Sequence, residues 1–217
     1  MSVATASPPA PSGLAPVAPS APHGRSVPPD HPPWAMPLAA YEKLVESGLF
    51  SEFPEFRRVY LWEGRLCERM TIDRPHVLGV RGVFLAILGL RIEGYEAETE
   101  APMAYRKADS APQPDIKVVR GLCKDYNPRM PTTTDVPLVV EVTDSTLSKD
   151  RGLALTYAIE EIPVYWLVNI PARRVEVYSA PVSGVYTSVS FFEAGQEIPV
   201  ILDGREVGRI RVADLLP

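Results

Sequence analysis

From Leu38 onward, apolar residues alternate between helical and strand-like spacing. Leu38 to Leu49 repeats them at helical intervals around a glycine stop at Gly48, which predicts a helix. Val59-Tyr60-Leu61-Trp62 and Arg65 to Met70 flank Glu63-Gly64, a pattern that predicts a β-hairpin. After Asp73-Arg74-Pro75-His76, the stretch Val77 to Ile92 is mostly apolar and long enough for a helix of several turns. Gly79, Gly82 and Gly89 are poor helix formers within it.

Tyr95 to Tyr105 alternates like a strand, and Pro114 opens a second strand at Asp115-Ile116-Lys117-Val118-Val119. Leu138-Val139-Val140-Glu141-Val142-Thr143 is almost unbroken in its apolar character, as expected of a central strand buried on both faces. Asp144-Ser145-Thr146 can cap the helix expected over Asp150 to Glu160. Pro163 to Ile170 reads as another core strand. Arg174 to Tyr178 pairs with it through a turn at Pro171-Ala172-Arg173, and short strands continue to Leu216. The order helix, hairpin, helix, strands, helix, strands implies an α/β fold with a mixed central sheet flanked by helices.

Residues 1–33 are a different material. They hold ten of the chain's 24 prolines among Ala and Ser, with few groups to bury. Such a segment cannot offset its ordering entropy, so it is expected to be a disordered tail, set at residues 1–36 ahead of a folded domain at 37–217. A docking peptide for a proline-binding module is its functional alternative.

Composition narrows the function classes. The net charge of −5 and pI near 5.3 exclude a broad basic coat, although not a local basic groove. Cys67 and Cys123 match no metal spacing and form no disulfide framework. No apolar run approaches the ~18 residues of a membrane span, and no secretory signal is legible, so the cytoplasm is the expected compartment.

The most informative residues are two acids at strand positions. A charged carboxylate in a buried strand costs several kcal/mol (roughly) unless it is paired or holds a metal. Asp115 and Glu141, on neighbouring strands, can converge on one hard cation, and magnesium favours such a site, with one or two carboxylates, waters and a phosphate oxygen. The alternative is that Asp115 caps a turn and Glu141 pairs with Lys117 or Arg151. Glu68 on the hairpin could supply a further acid or be a solvated charge. Tyr165-Trp166 reads as core, and Arg173-Arg174 as an exposed turn within reach of phosphate.

Pro114-Asp115, followed 26 residues later (141 − 115) by Glu141-Val142-Thr143, resembles the split PD…(D/E)xK signature of metal-dependent nucleases. Around it occur, in order, Tyr60-Leu61-Trp62-Glu63-Gly64-Arg65-Leu66, Arg74-Pro75-His76, Pro114 to Val119, Val139 to Leu147 and Ile162 to Asn169. Together these resemble the Uma-two family of restriction-endonuclease-like proteins, over residues 37–217. The resemblance implies a restriction-endonuclease-like fold and a magnesium-dependent (or manganese-dependent) endonuclease acting on DNA. By the same resemblance, Asp115 is the metal-binding aspartate and Glu141 the second acid. His76 stands at the family's usual histidine.

One feature departs from the family. Thr143 stands where the motif has lysine. The family's Asp-Arg-x-x-Lys on the next helix reads Asp150-Arg151-Gly152-Leu153-Ala154, with Ala154 in the lysine's place. That lysine would orient the attacking water and stabilise charge on phosphate. The remaining catalytic candidates are Lys149, in the adjoining turn, and Lys117, which shares a strand face with Asp115. Arg151 stays protonated and can hold phosphate rather than act as a base. Three readings follow: a metal-dependent nuclease, a nuclease-fold protein that binds nucleic acid or a protein partner without cutting, and a module that works through its tail. Nucleases of this fold often act as a homodimer to cut two strands; no interface is legible here.

Overall fold

The structure, a computed structural model, describes residues 34–52, 59–68, 73–127, 129–144 and 147–217, with backbone alone for 50, 51 and 147–150. The chain divides into two units, Met1–Trp34 and Ala35–Pro217. Residues 1–33 of the expected tail lie outside the described residues, and the second unit carries everything below.

Its core is a six-stranded sheet. In chain order the strands are β3 (Tyr95–Thr99), β4 (Ile116–Arg120), β5 (Leu138–Thr143), β6 (Val164–Asn169), β7 (Arg174–Val182) and β8 (Val185–Glu193). They lie side by side in that order. Only β5 and β6 run parallel, and helix α4 (Leu147–Ile159) makes the crossover that parallel neighbours require. The hairpin β1 (Val59–Trp62) with β2 (Arg65–Glu68) and the ribbon β9 (Glu197–Leu202) with β10 (Arg205–Arg211) form separate two-stranded sheets. Helices α1 (Leu38–Glu46) and α2 (Leu49–Glu52) precede them, and α3 (Arg74–Gly89) lies between the first hairpin and β3. The mixed α/β architecture expected from the sequence is the one observed.

Strand alternation sorts the core into two layers. Ile116, Val118, Leu138, Val140, Val142, Trp166 and Val168 face α3 (Val83, Ile87) and the β9–β10 ribbon. Val119, Val139, Tyr165 and Leu167 face the other way, toward Tyr157 of α4 and toward Met103 and Tyr105. Tyr165 and Trp166 are both buried, one in each layer, as their core reading requires. Burying these faces supplies the dominant favourable term of folding, roughly 25 cal/mol per Å² of apolar surface.

The element boundaries differ from the sequence pattern where local backbone geometry intervenes. The first helix ends at Glu46, and a separate turn of helix follows Gly48, whose φ is +78°. The strand expected over Tyr95 to Tyr105 stops at Thr99, because Glu100 adopts a positive φ of 52° and Pro102 has no N–H to donate. Ala104 and Tyr105 survive only as isolated bridges. Glu63 and Gly64, at φ 45° and 73°, form the two-residue turn that matches the twist of a hairpin. Residues 69 and 70 of its second arm lie outside the described residues. Cys67 and Cys123 are free thiols. Among the described residues no helix is long and apolar enough to cross a membrane.

The glycines of α3 have a packing reason. A Cβ at Gly79 would lie 2.8 Å from Val142 Cγ1 and 3.3 Å from Ile170 Cδ1, and one at Gly82 would lie 2.9 Å from the Asp214 carbonyl. The helix therefore sits closer to β5 at Gly79, and closer to the Asp214 backbone at Gly82, than a side chain would allow. Gly89, with nothing within 4 Å, has no such role. Adding a methyl at Gly79 is expected to cost about 1–3 kcal/mol by overpacking. The same methyl at Gly89 is expected to add up to about 1 kcal/mol of helix propensity. Urea unfolding of Gly79→Ala and Gly89→Ala checks the opposite signs.

Candidate active site

β4 and β5 pair only from Val118 opposite Leu138 to Ile116 opposite Val140. Beyond Val140, β5 stays with β6 through Thr143, which lies opposite Asn169. The two strands therefore part at the next position, where Asp115 and Glu141 stand. Their carboxylates close the gap that the missing ladder bonds leave. Asp115 Oδ2 accepts a hydrogen bond from the Val142 N–H at 2.8 Å, and Glu141 Oε2 accepts one from the Asp115 N–H at 3.3 Å. Each acid is thus tied to the other strand's backbone. The structure brings these two residues together.

The helical layers complete the arrangement. Tyr157 of α4 donates its O–H to Glu141 Oε1 at 2.5 Å. Burial first, then the neighbouring Glu141 charge, hold that hydroxyl well above its ordinary pKa of 10, so it stays a donor. Tyr157 is fixed in turn by its ring neighbours, Tyr105 with centroids 5.8 Å apart and Tyr165 at 4.7 Å. On the opposite side His76, in the first turn of α3, places Nε2 3.2 Å from Asp115 Oδ1. Asp115 is 5% exposed.

The other candidates divide. Lys117 is fully buried beside the pair, but its Nζ lies 2.7 Å from Glu98 Oε2 and donates to the Ala101 carbonyl at 2.8 Å. Glu98 is its cross-strand partner on β3. Burial pulls the Lys117 ammonium below the usual lysine range, against the opposing pull of Glu98. Arg151 turns to Glu176, so the ion pairs considered for Glu141 from sequence go to other carboxylates. Lys149 and Asp150 belong to α4, but their side chains lie outside the described residues. Glu68 is exposed on β2, and Arg173 is exposed at the β6–β7 turn. Ala154 packs into the layer around Tyr157.

Thr143, in the position of the motif's lysine, is 1% exposed, and among the described residues its Oγ1 has no hydrogen-bond partner. It lies two residues from Glu141 and shares its strand face. A buried hydroxyl without a partner costs about 1–3 kcal/mol. Thr143→Val, which keeps the shape, is therefore expected to raise thermal stability in metal-free buffer, as read from the melting temperature.

The sequence reading missed Glu176. It is 1% exposed, and both its oxygens are saturated. Arg151 donates through Nε at 3.0 Å and Nη2 at 2.6 Å, Tyr178 O–H at 2.9 Å, and Asn169 Nδ2 and Arg174 Nη2 at 3.3 Å each. Its signal was the period of β7: Arg174, Glu176 and Tyr178 alternate onto the face that α4 covers. Burial pushes the Glu176 carboxyl up, but the hydrogen bonds from Arg151, Tyr178 and Asn169 outweigh it and bring it from 4.5 to about 2. Because the folded value is the lower one, this group stabilises the fold above pH 4.5, and the effect fades as pH falls toward about 2. Paired melting curves of wild type and Glu176→Gln are expected to lie farthest apart above pH 5 and to converge toward pH 2.

The pair Asp115 and Glu141 offers only hard oxygen donors. Magnesium takes one or two protein carboxylates and completes its octahedron with water and phosphate, so the residues present fit that type of ion. Among the described residues, no group of three or more His, Cys, Asp and Glu side chains is set for a metal.

Comparison with known proteins accords with this fold. A crystal structure of a "putative nuclease" from Anabaena variabilis ATCC 29413 is similar, with a TM-score of 0.57 and 16% sequence identity. The match covers 83% of this chain and 97% of that one. No curated protein matches the chain. A family model described as "Putative restriction endonuclease" matches residues 41–211, a span that includes the parting strands and all the residues tied to them. The chain belongs to that family, Uma2.

Proposed function

We propose that the protein is a metal-dependent endonuclease that hydrolyses phosphodiester bonds in DNA in the cytoplasm. The observation that carries the reading is the pair of carboxylates held across the β4–β5 parting, within a family described as "Putative restriction endonuclease". Asp115 and Glu141 would hold Mg²⁺ or Mn²⁺. Such an ion supplies Lewis acidity at the phosphate and lowers the pKa of bound water.

The chain's own residues do the rest. The Val142 and Asp115 amides fix the two carboxylates, Tyr157 holds Glu141 from one helical layer, and His76 lies 3.2 Å from Asp115 on the other. This orientation is set before substrate arrives, which spares reorganisation during reaction. Lys117 and Lys149 are the cations assigned to the catalytic charge. Lys117 stands on the Asp115 face and is held by Glu98. A homodimer would serve double-strand cutting.

A second reading has its own observation. Ala154 removes the helical lysine, and Arg151 is committed to Glu176, which favours a protein that holds nucleic acid without cutting it. Plasmid cleavage with Mg²⁺ or Mn²⁺ separates the two. Wild type is expected to nick or linearise DNA, and Asp115→Ala to lose at least about 100-fold in rate, the scale on which single preorganised groups act. Equal background cutting by both proteins overturns the enzymatic reading.

A further inference from the structure

Glu176 holds more positive charge than it neutralises. One buried carboxylate serves two guanidinium groups, Arg151 from α4 and Arg174 from β7, so the cluster carries a net charge of one positive unit (2 − 1). A guanidinium has five N–H donors. Arg151 spends Nε and Nη2 on Glu176, and Arg174 spends a single Nη2 bond, so among the described residues both keep donors in hand. Both side chains reach solvent, at 43% and 29% exposure, whereas the carboxylate beneath them does not. Arg174 is also fixed from below, its guanidinium carbon 4.7 Å from the centroid of the Phe191 ring. Two long side chains that would otherwise be mobile are thereby pre-ordered side by side.

Their place on the sheet gives the cluster its meaning. Glu141 lies opposite Leu167, and Leu167 opposite Glu176, in one row across β5, β6 and β7. The next row runs from Thr143 through Asn169 to Arg174. Alternation puts the odd residues of β5 and β6 and the even ones of β7 on the same face. With neighbouring strands about 4.8 Å apart, the arginine cluster stands about 10 Å from the acid pair, measured across the strands. That is about one or two phosphate steps along a nucleic-acid strand, at about 3.4 Å of rise per nucleotide plus the sideways path of the backbone.

We propose that Arg151 and Arg174, held by Glu176, form a binding site for a backbone phosphate of the nucleic acid beside the one at Asp115 and Glu141. The inference rests on the nuclease-fold reading for the presence of a phosphodiester chain, but not on cleavage. The planar fork of each arginine suits phosphate oxygens, and Glu176, saturated and buried, stays charged and keeps both forks in place. Arg151 thus holds substrate through phosphate, together with Arg174, and takes no part in proton transfer.

The test is equilibrium binding of a fluorescein-labelled mixed-sequence DNA duplex, followed by anisotropy over a range of NaCl in EDTA, where no cleavage occurs. Replacing a phosphate-binding cation lowers the slope of log K against log salt by about 1. Arg174→Gln leaves the Arg151–Glu176 fork intact and so keeps the fold. It is expected to weaken binding several-fold and to reduce the slope by about 1. Arg151→Lys keeps the charge but not the fork, and is expected to preserve the slope while lowering affinity. Arg209→Gln, on the β9–β10 ribbon and paired with Glu206, is expected to change neither. A wild-type slope in Arg174→Gln overturns the proposal, as does an equal loss in Arg209→Gln. If wild type cuts DNA while Arg174→Gln binds like wild type, only this site fails. If wild type neither binds nor cuts DNA, the nuclease reading fails with it.

Discussion

Beyond the pair formed by Ile116 and Val140, β4 and β5 cannot go on exchanging backbone hydrogen bonds, because β5 keeps its parallel alignment with β6 while β4 turns away. Backbone donors exposed by such a parting need partners, since a buried N–H without one costs as much as a lost hydrogen bond. In this protein the partners are side-chain carboxylates. Asp115 answers the Val142 amide, and Glu141 answers the Asp115 amide. One geometric constraint therefore holds the sheet together at its weakest point and also presents two acids side by side. The same bonds that satisfy the backbone give the carboxylates fixed positions.

Around that point the two layers have different tasks. The α3 layer comes close through Gly79, which lets the helix rest on Val142 and brings His76 to Asp115. The α4 layer works through a run of tyrosines, Tyr105, Tyr157, Tyr165, Tyr178 and Tyr186, whose rings touch in sequence from one side of the sheet toward the other. Two of their hydroxyls end on carboxylates, Tyr157 on Glu141 and Tyr178 on Glu176. Aromatic packing and polar satisfaction thus coincide on one face, and the rings carry both acids. A face of this kind tolerates charge because each carboxylate is bonded from several directions.

Electrostatics divides the face into regions. Buried Lys117 is neutralised by Glu98 near β3, the acid pair sits at the parting, and the arginines gather over Glu176 toward β8. A chain with an overall charge of −5 thus has a local surface of opposite sign next to its acids. Net charge said nothing of this, because it averages over faces that the fold keeps apart.

Periodicity by itself determined the elements: the two strands with almost continuous apolar runs, the amphipathic helices and the Glu63-Gly64 turn follow from side-chain spacing and local backbone preference, which act within a few residues. It also singled out Asp115 and Glu141, because a charge inside a buried strand is costly enough to need a reason. Only the tertiary structure decided where the cations go. Lys117 and Arg151 were within sequence reach of the acid pair, yet cross-strand pairing gave Lys117 to Glu98, and the crossover helix delivered Arg151 to Glu176. Glu176 itself looked like an ordinary strand charge until α4 covered it. Contacts between elements far apart in the chain depend on register and on which layer packs over which face, and no local pattern in the sequence carries that information.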